Sequence, residues 1–198
     1  MKIKSLSDDP AILIIDDFIS KDDCDQIILK YKDKVRKQST ISGSSTNYRN
    51  SSSLILDRDC PTLNQISRNI KINLSSDINF FEKPQIHKYE KDQEYLDHYD
   101  ARDIKQINEI NFHQRRNTAI IYLNEDFYGG STYFKQKNIT ITPKQARLLI
   151  FENCFKGTDY IHPLSMHSGL KVTKGIKWIL TLCSRKSFEI NLDNFLKY

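Results

Sequence analysis

From about Lys83 onward the chain breaks into short β-prone runs separated by turn signals, and this pattern constrains the fold more than any other feature. The runs are Gln85–Tyr89, Glu94–Tyr99, Thr118–Leu123, Ser131–Phe134, Ile139–Thr142, Arg147–Phe151 and Lys177–Ser184. Many short strands in close succession are the signature of two sheets packed face to face in a jelly roll. Ahead of them, Ala11–Ile15 reads as a strand, and Leu54–Leu56 resumes strand character. Two stretches carry helical spacing instead. Ser20 can cap a first helix, with Asp23 three residues on in a variant capping box. Cys24, Ile27, Ile28, Tyr31 and Val35 then form its buried stripe. Pro61 suits the first turn of a second helix, with Leu63, Ile66, Ile70 and Leu74 facing inward. The expectation is an α+β, mainly β protein: a double-stranded β-helix core over 84–190, and an N-terminal region, 1–83, whose helices pack on one sheet. Its 198 residues suit a single domain, 1–198.

Composition narrows the function classes. Net charge is +5 and the pI about 8.9, with the charges dispersed. Asp33 interrupts the densest basic stretch, Lys30–Lys37. That reads as a solvated helix face, because binding phosphate requires a concentrated stripe. Cys24, Cys60, Cys154 and Cys183 form no CxxC pair, so they read as core thiols and not as a zinc site. Asp8, Asp9, Asp16 and Asp17 break the N-terminal apolar run, so neither a signal peptide nor a membrane span is expected, and a reducing cytoplasmic location follows.

The chemistry sits in the β-rich half. In a strand, residues i and i+2 point the same way, so His98 and Asp100 can grip one ion. Alone, such a pair is as readily a solvated strand face. With His167 downstream, two histidines and one carboxylate make the ligand set of a non-haem Fe(II) oxygenase, which leaves one face of the metal open. Ten residues after His167, Lys177 opens the apolar run to Leu182. A lone lysine there would snorkel to water. A buried one is costly unless paired, and a ligand carboxylate would pair it.

These residues stand in an order that resembles the prolyl 4-hydroxylase family of the Fe(II)/2-oxoglutarate-dependent dioxygenase superfamily. The similarity runs through Leu13–Cys24, Tyr48–Leu54, Gln85–Tyr89, Glu94–Asp100, Arg115–Asn124, Gly129–Phe134 and the His167–Lys177 spacing. The resemblance implies that His98, Asp100 and His167 bind Fe(II), and that Lys177 and Tyr89 hold the distal carboxylate of 2-oxoglutarate, with Thr181 and Thr118 lining that pocket. It places Arg49, Tyr95 and Arg115 on the substrate peptide; segment 38–53, Ser- and Thr-rich, reads as a mobile flap over the peptide groove. The reaction implied consumes O₂, hydroxylates peptidyl proline and releases succinate and CO₂, with ascorbate as an accessory reductant. A proline-containing peptide is the expected partner, with no membrane and no nucleic acid. A lysyl or other protein hydroxylase would use the same catalytic residues. A nucleic-acid demethylase of the superfamily would carry an Arg pair after the distal histidine, where this chain has Lys177 alone. Two positions depart from collagen-type members: Cys183 and Arg185 stand where those carry Trp and His. His162 competes for the distal ligand role, but only His167 has the ten-residue offset to Lys177. His87 and His113 read as satisfied or exposed histidines, and Gly129–Gly130 as a tight turn.

Overall fold

The computed structural model describes residues 2–37, 49–57, 63–73, 78–105, 107 and 113–185. In chain order the strands and helices are β1 (Lys2–Asp8), β2 (Ala11–Asp16), α1 (Lys21–Tyr31), β3 (Arg36–Lys37), β4 (Ser52–Ile55), α2 (Leu63–Asn73), β5 (Gln85–Tyr89) and β6 (Tyr95–His98). They continue with β7 (Asn117–Tyr122), β8 (Tyr128–Gly129), β9 (Thr132–Phe134), β10 (Ile139–Ile141), β11 (Leu148–Glu152), β12 (His167–Gly169), β13 (Val172–Lys174) and β14 (Lys177–Ser184). An eight-stranded sheet runs β1-β2-β11-β7-β14-β5-β4-β3, and it faces a four-stranded sheet, β10-β9-β12-β6. The pair β13-β8 forms a third, two-stranded sheet.

Period-two alternation in the large sheet assigns each side chain to one of two cores. On β7, Ala119 and Ile121 face outward while Ile120 and Tyr122 face the other sheet. Leu148 and Ile150 of β11 point out; Leu149 and Phe151 point in. The outer face is covered by Cys24, Ile27 and Tyr31 of α1 and by Leu63, Ile66 and Ile70 of α2. Both helical stripes read from the sequence therefore pack on one sheet, as expected. Each fully buried Ile or Leu there contributes about 1.5–3 kcal/mol of transfer free energy. Helix α1 starts with the capping box: the Ser20 hydroxyl accepts from Asp23 N at 2.9 Å, and Ser20 N donates to the Asp23 carboxylate at 3.3 Å. Pro61, Leu74 and Cys60 lie outside the described residues. Cys24, Cys154 and Cys183 are buried free thiols.

The differences from the sequence reading have physical causes. Strands β1, β3, β8, β12 and β13 are short or polar; β1 and β3 are held by the next strand in the chain, and β8, β12 and β13 by partners distant in sequence. β12 is only His-Ser-Gly, yet it pairs with both β6 and β9. The expected flap 38–53 needs correction at its end: Ser52 and Ser53 are strand residues of β4, paired with Lys88 and His87. Residues 38–48 lie outside the described part. No helix among the described residues is long and apolar enough to cross a membrane.

Candidate active site

The small sheet brings together the two histidines expected to bind metal. β12 lies antiparallel to β6 with His167 directly opposite His98, and their ring centroids are 4.3 Å apart. Asp100 is not on the strand as the i, i+2 argument supposed. β6 ends at His98, and Asp100 sits in a bend two residues later. Its carboxylate is aimed instead by the fully buried Thr118 of β7, whose hydroxyl donates to Oδ2 at 2.7 Å. Asn153 in turn donates to the Thr118 hydroxyl at 2.9 Å. His98 Nε2 lies 3.4 Å from Asp100 Oδ1, and His167 Nε2 lies 3.7 Å from Oδ2.

This donor set fits a first-row dication. One ligand atom from each residue lies within 4.8 Å of the others, and metal–ligand bonds of about 2.0–2.2 Å bring neighbouring donors to a similar separation. Both outer ring nitrogens are committed: His98 Nδ1 to Leu96 O at 2.7 Å and His167 Nδ1 to Ser165 O at 3.0 Å. Donation to those carbonyls sets the tautomer that leaves each Nε2 lone pair for the metal. Burial pushes the His167 imidazole down to about 4, so it is neutral at pH 7, the form a metal requires. Burial alone would push the Asp100 carboxyl up. His167, His98 and the Thr118 hydroxyl outweigh it and hold the group well below the usual carboxylate range. His162 is no part of the cluster. Its Nε2 meets Asp9 Oδ1 at 3.1 Å and its Nδ1 accepts from Leu164 N.

The large sheet supplies the rest of a cavity of about 350 Å³. Lys177, Ile179, Thr181 and Cys183 of β14 line it, as do Gln85, His87 and Tyr89 of β5, each set alternating along its strand. Lys177 is 3% exposed. Its ammonium donates to Gly130 O at 2.6 Å and stands 5.2 Å from the Tyr89 ring centroid and 5.8 Å from that of Tyr122. Among the described residues no carboxylate pairs with it, and burial pushes its pKa down to about 7. A buried cation with aromatic walls and no acid partner among the described residues is able to take an anionic group. Gly130 thus does more than turn the chain. Its φ is +67°, and an added Cβ would lie 2.9 Å from the Phe127 ring and 3.0 Å from Lys177 Cδ.

Tyr95, Arg49 and Arg115 also line the cavity. Tyr95 stacks on His98 with centroids 3.5 Å apart. Arg49 lies over the Tyr95 ring at 5.0 Å, donates from Nε to Ser51 at 2.7 Å and contacts His87 Nδ1. Arg115 is clamped by Glu82 in a two-point ion pair at 2.9 and 2.8 Å. The structure therefore gathers every expected residue except Thr118 at the cavity wall; Thr118 lies behind Asp100. Gln85, His87, Glu82, Asn153 and the Gly130 carbonyl were missed. Alternation with Tyr89 signalled His87 and Gln85; nothing local signalled Asn153.

Residues 84–185 match the model of the 2OG-Fe(II) oxygenase superfamily, and the chain belongs to it. The protein "Putative prolyl 4-hydroxylase" of Acanthamoeba polyphaga mimivirus is 31% identical over 185 residues, which span 90% of this chain and 76% of that one. Prolyl 4-hydroxylase 1 of Arabidopsis thaliana is 26% identical, spanning 94% and 72%. Among solved structures, the viral collagen prolyl hydroxylase of Paramecium bursaria Chlorella virus-1, in complex with 2-oxoglutarate (2OG), superposes with a TM-score of 0.71 at 25% identity, covering 87% of this chain and 94% of that one. A Pseudomonas putida prolyl 4-hydroxylase shares the fold, with a TM-score of 0.63 at 15% identity, covering 89% and 92%. The chain is a 2-oxoglutarate-dependent dioxygenase with a jelly-roll core and a His-Asp-His site for Fe(II).

Proposed function

We propose that this enzyme hydroxylates a prolyl residue in a peptide, with 2-oxoglutarate oxidised alongside it to succinate and CO₂. One oxygen atom of O₂ enters the proline and the other enters succinate. The observation that carries this reading is one cavity bounded by the His98–Asp100–His167 cluster on one side and, on the large sheet, by buried Lys177, which meets no carboxylate among the described residues. The relatives' names supply the prolyl acceptor.

His98, Asp100 and His167 would hold the iron, which supplies the oxidising power that no acid–base group has toward an unactivated C–H bond. Lys177 and Tyr89 would anchor the far carboxylate of 2-oxoglutarate, with Ile120 and Ile179 against its methylenes and Thr181 beside it. A charge-assisted bond at a fixed depth selects a dicarboxylate of one length. Thr118 and Asn153 keep Asp100 from rotating. Tyr95, stacked on His98, and the wall made by Arg49 and the Arg115–Glu82 pair would seat the peptide. A proline-rich segment is already extended and loses little entropy on docking there. The test is incubation with Fe(II), 2-oxoglutarate, O₂ and a panel of proline and lysine peptides, read by the mass gain of one oxygen atom. Oxygen appearing only on lysine, or on a nucleobase in a parallel arm, would replace the prolyl assignment and leave the iron and co-substrate roles standing.

A further inference from the structure

The geometry points to Arg49 as the receptor for a carboxylate of the substrate peptide, so that favoured substrates carry Asp or Glu close to the target residue. This rests on the peptide hydroxylase reading and adds the substrate's chemical class. Arg49 is held in place. Its backbone bridges to Tyr95, and the side chain of the next residue, Asn50, accepts from Glu94 N at 2.9 Å. Arg49 lines the cavity, and its guanidinium meets only neutral groups, two of them on lining residues: the Ser51 hydroxyl, His87 Nδ1 and the face of Tyr95. Burial keeps the His87 imidazole far below its usual pKa, so it does not share the charge. Among the described residues no carboxylate forms an ion pair with Arg49. Two of the five guanidinium donors are committed to Ser51 and His87, and the others remain for a ligand.

The loaded site would carry one unmatched positive charge. The charged residues lining the cavity are Arg49, Glu82, Lys83, Asp100, Arg115 and Lys177. Arg115 is matched by Glu82, and Lys83 by Asp57 at 2.8 Å. A metal dication and the dianion 2-oxoglutarate cancel, and Asp100 cancels Lys177. Arg49 is the charge left over, at a partly enclosed position where an unmatched cation acts more strongly than in open water. A peptide carbonyl could accept from it but would leave the charge in place. A carboxylate neutralises it and matches the planar fork.

The test separates binding from turnover. Fluorescent proline peptides, identical except for Glu, Gln or Lys scanned through the positions flanking the proline, are titrated under nitrogen against the protein loaded with Fe(II) and 2-oxoglutarate. At one or more positions the Glu peptide should bind about ten-fold more tightly than its Gln counterpart, with a preference that shrinks as salt rises. Arg49→Gln should abolish the preference, Arg49→Lys should keep part of it, and Arg49→Glu should transfer it to the Lys peptide. Where Arg49→Gln fails to fold, Arg49→Lys and the salt dependence of the wild type decide. A flat scan, a preference that survives Arg49→Gln, or one lost instead in Lys83→Gln would overturn the assignment. The same panel is then turned over in air. Hydroxylation without acid preference defeats this inference alone; an Arg49-dependent preference with no oxygen gained by proline defeats the prolyl reading alone.

Discussion

Replacing Lys177 with methionine should make the co-substrate-free protein more stable while ruining its use of 2-oxoglutarate. Burial holds the Lys177 ammonium at a pKa of about 7 against the ordinary 10.5. At pH 7 that burial costs the fold about 4 kcal/mol relative to a neutral side chain of the same shape. The unfolded chain keeps this proton up to pH 10.5, whereas the folded chain releases it near 7. The penalty is therefore full below pH 7 and fades as pH rises toward 10.5. Lys177→Met removes it but leaves the Gly130 carbonyl without the donor now at 2.6 Å, a loss of about 1–3 kcal/mol. The net expectation is a gain of about 1–3 kcal/mol at pH 7, seen as a Tm higher by a few degrees. The stability difference between variant and wild type should narrow as the pH is raised. Removing the cation from its carboxylate costs about 2–5 kcal/mol of binding, a roughly thirty-fold or larger rise in the Kd for 2-oxoglutarate. Because the carboxylate restores the ammonium, wild-type binding above pH 7 takes up a proton, and its affinity falls as pH rises; the variant's affinity should be flat. Circular dichroism melts follow stability, and anaerobic calorimetry in buffers of different ionisation enthalpy follows proton uptake. A variant destabilised by more than about 2 kcal/mol with unchanged 2-oxoglutarate affinity would refute the reasoning and make Lys177 a strut for the Gly130 turn.

Asp100→Ala and His167→Ala should each abolish Fe(II) binding, measured by metal analysis, and turnover with it, whereas His162→Ala should keep substantial activity; the reverse outcome for the two histidines would misplace the distal ligand. Thr118→Val preserves shape but removes the bond that aims Asp100 and orphans the buried Asn153 amide, so Fe(II) affinity or kcat should fall about ten- to a hundred-fold and stability by about 1–3 kcal/mol, both effects smaller in Thr118→Ser. Gly130→Ala forces a side chain into a φ of +67° against Phe127 and Lys177. It should destabilise the protein by about 1–3 kcal/mol in denaturant titration, and it should raise the KM for 2-oxoglutarate because Lys177 must move.

Much of this molecule was legible in local pattern. The inward and outward rows of β5, β7, β11 and β14, the stripes of α1 and α2, and the Ser20–Asp23 cap follow from periodicities of 2 and 3.6 and from a cap's need for a side-chain acceptor. The order His98, Asp100, His167, Lys177 named the chemistry, because few reactions call for that ligand set followed by a buried cation. Other features arise only when segments distant in sequence meet. His167 joins the cluster with His98 and Asp100, and His162 does not, because β12 pairs with β6 in the register that sets His167 opposite His98; the three-residue strand has no propensity of its own to announce this. Asp100 lies past its strand's end and depends on Thr118 and Asn153 for its aim. The buried Lys177 ammonium is satisfied by the Gly130 carbonyl, 47 residues away in sequence, which accepts its hydrogen bond. Hydrophobic period is a property of a short window and can be read there. Register, hydrogen-bond satisfaction and the matching of buried charges belong to pairs of distant segments, and only the folded chain brings those pairs into contact.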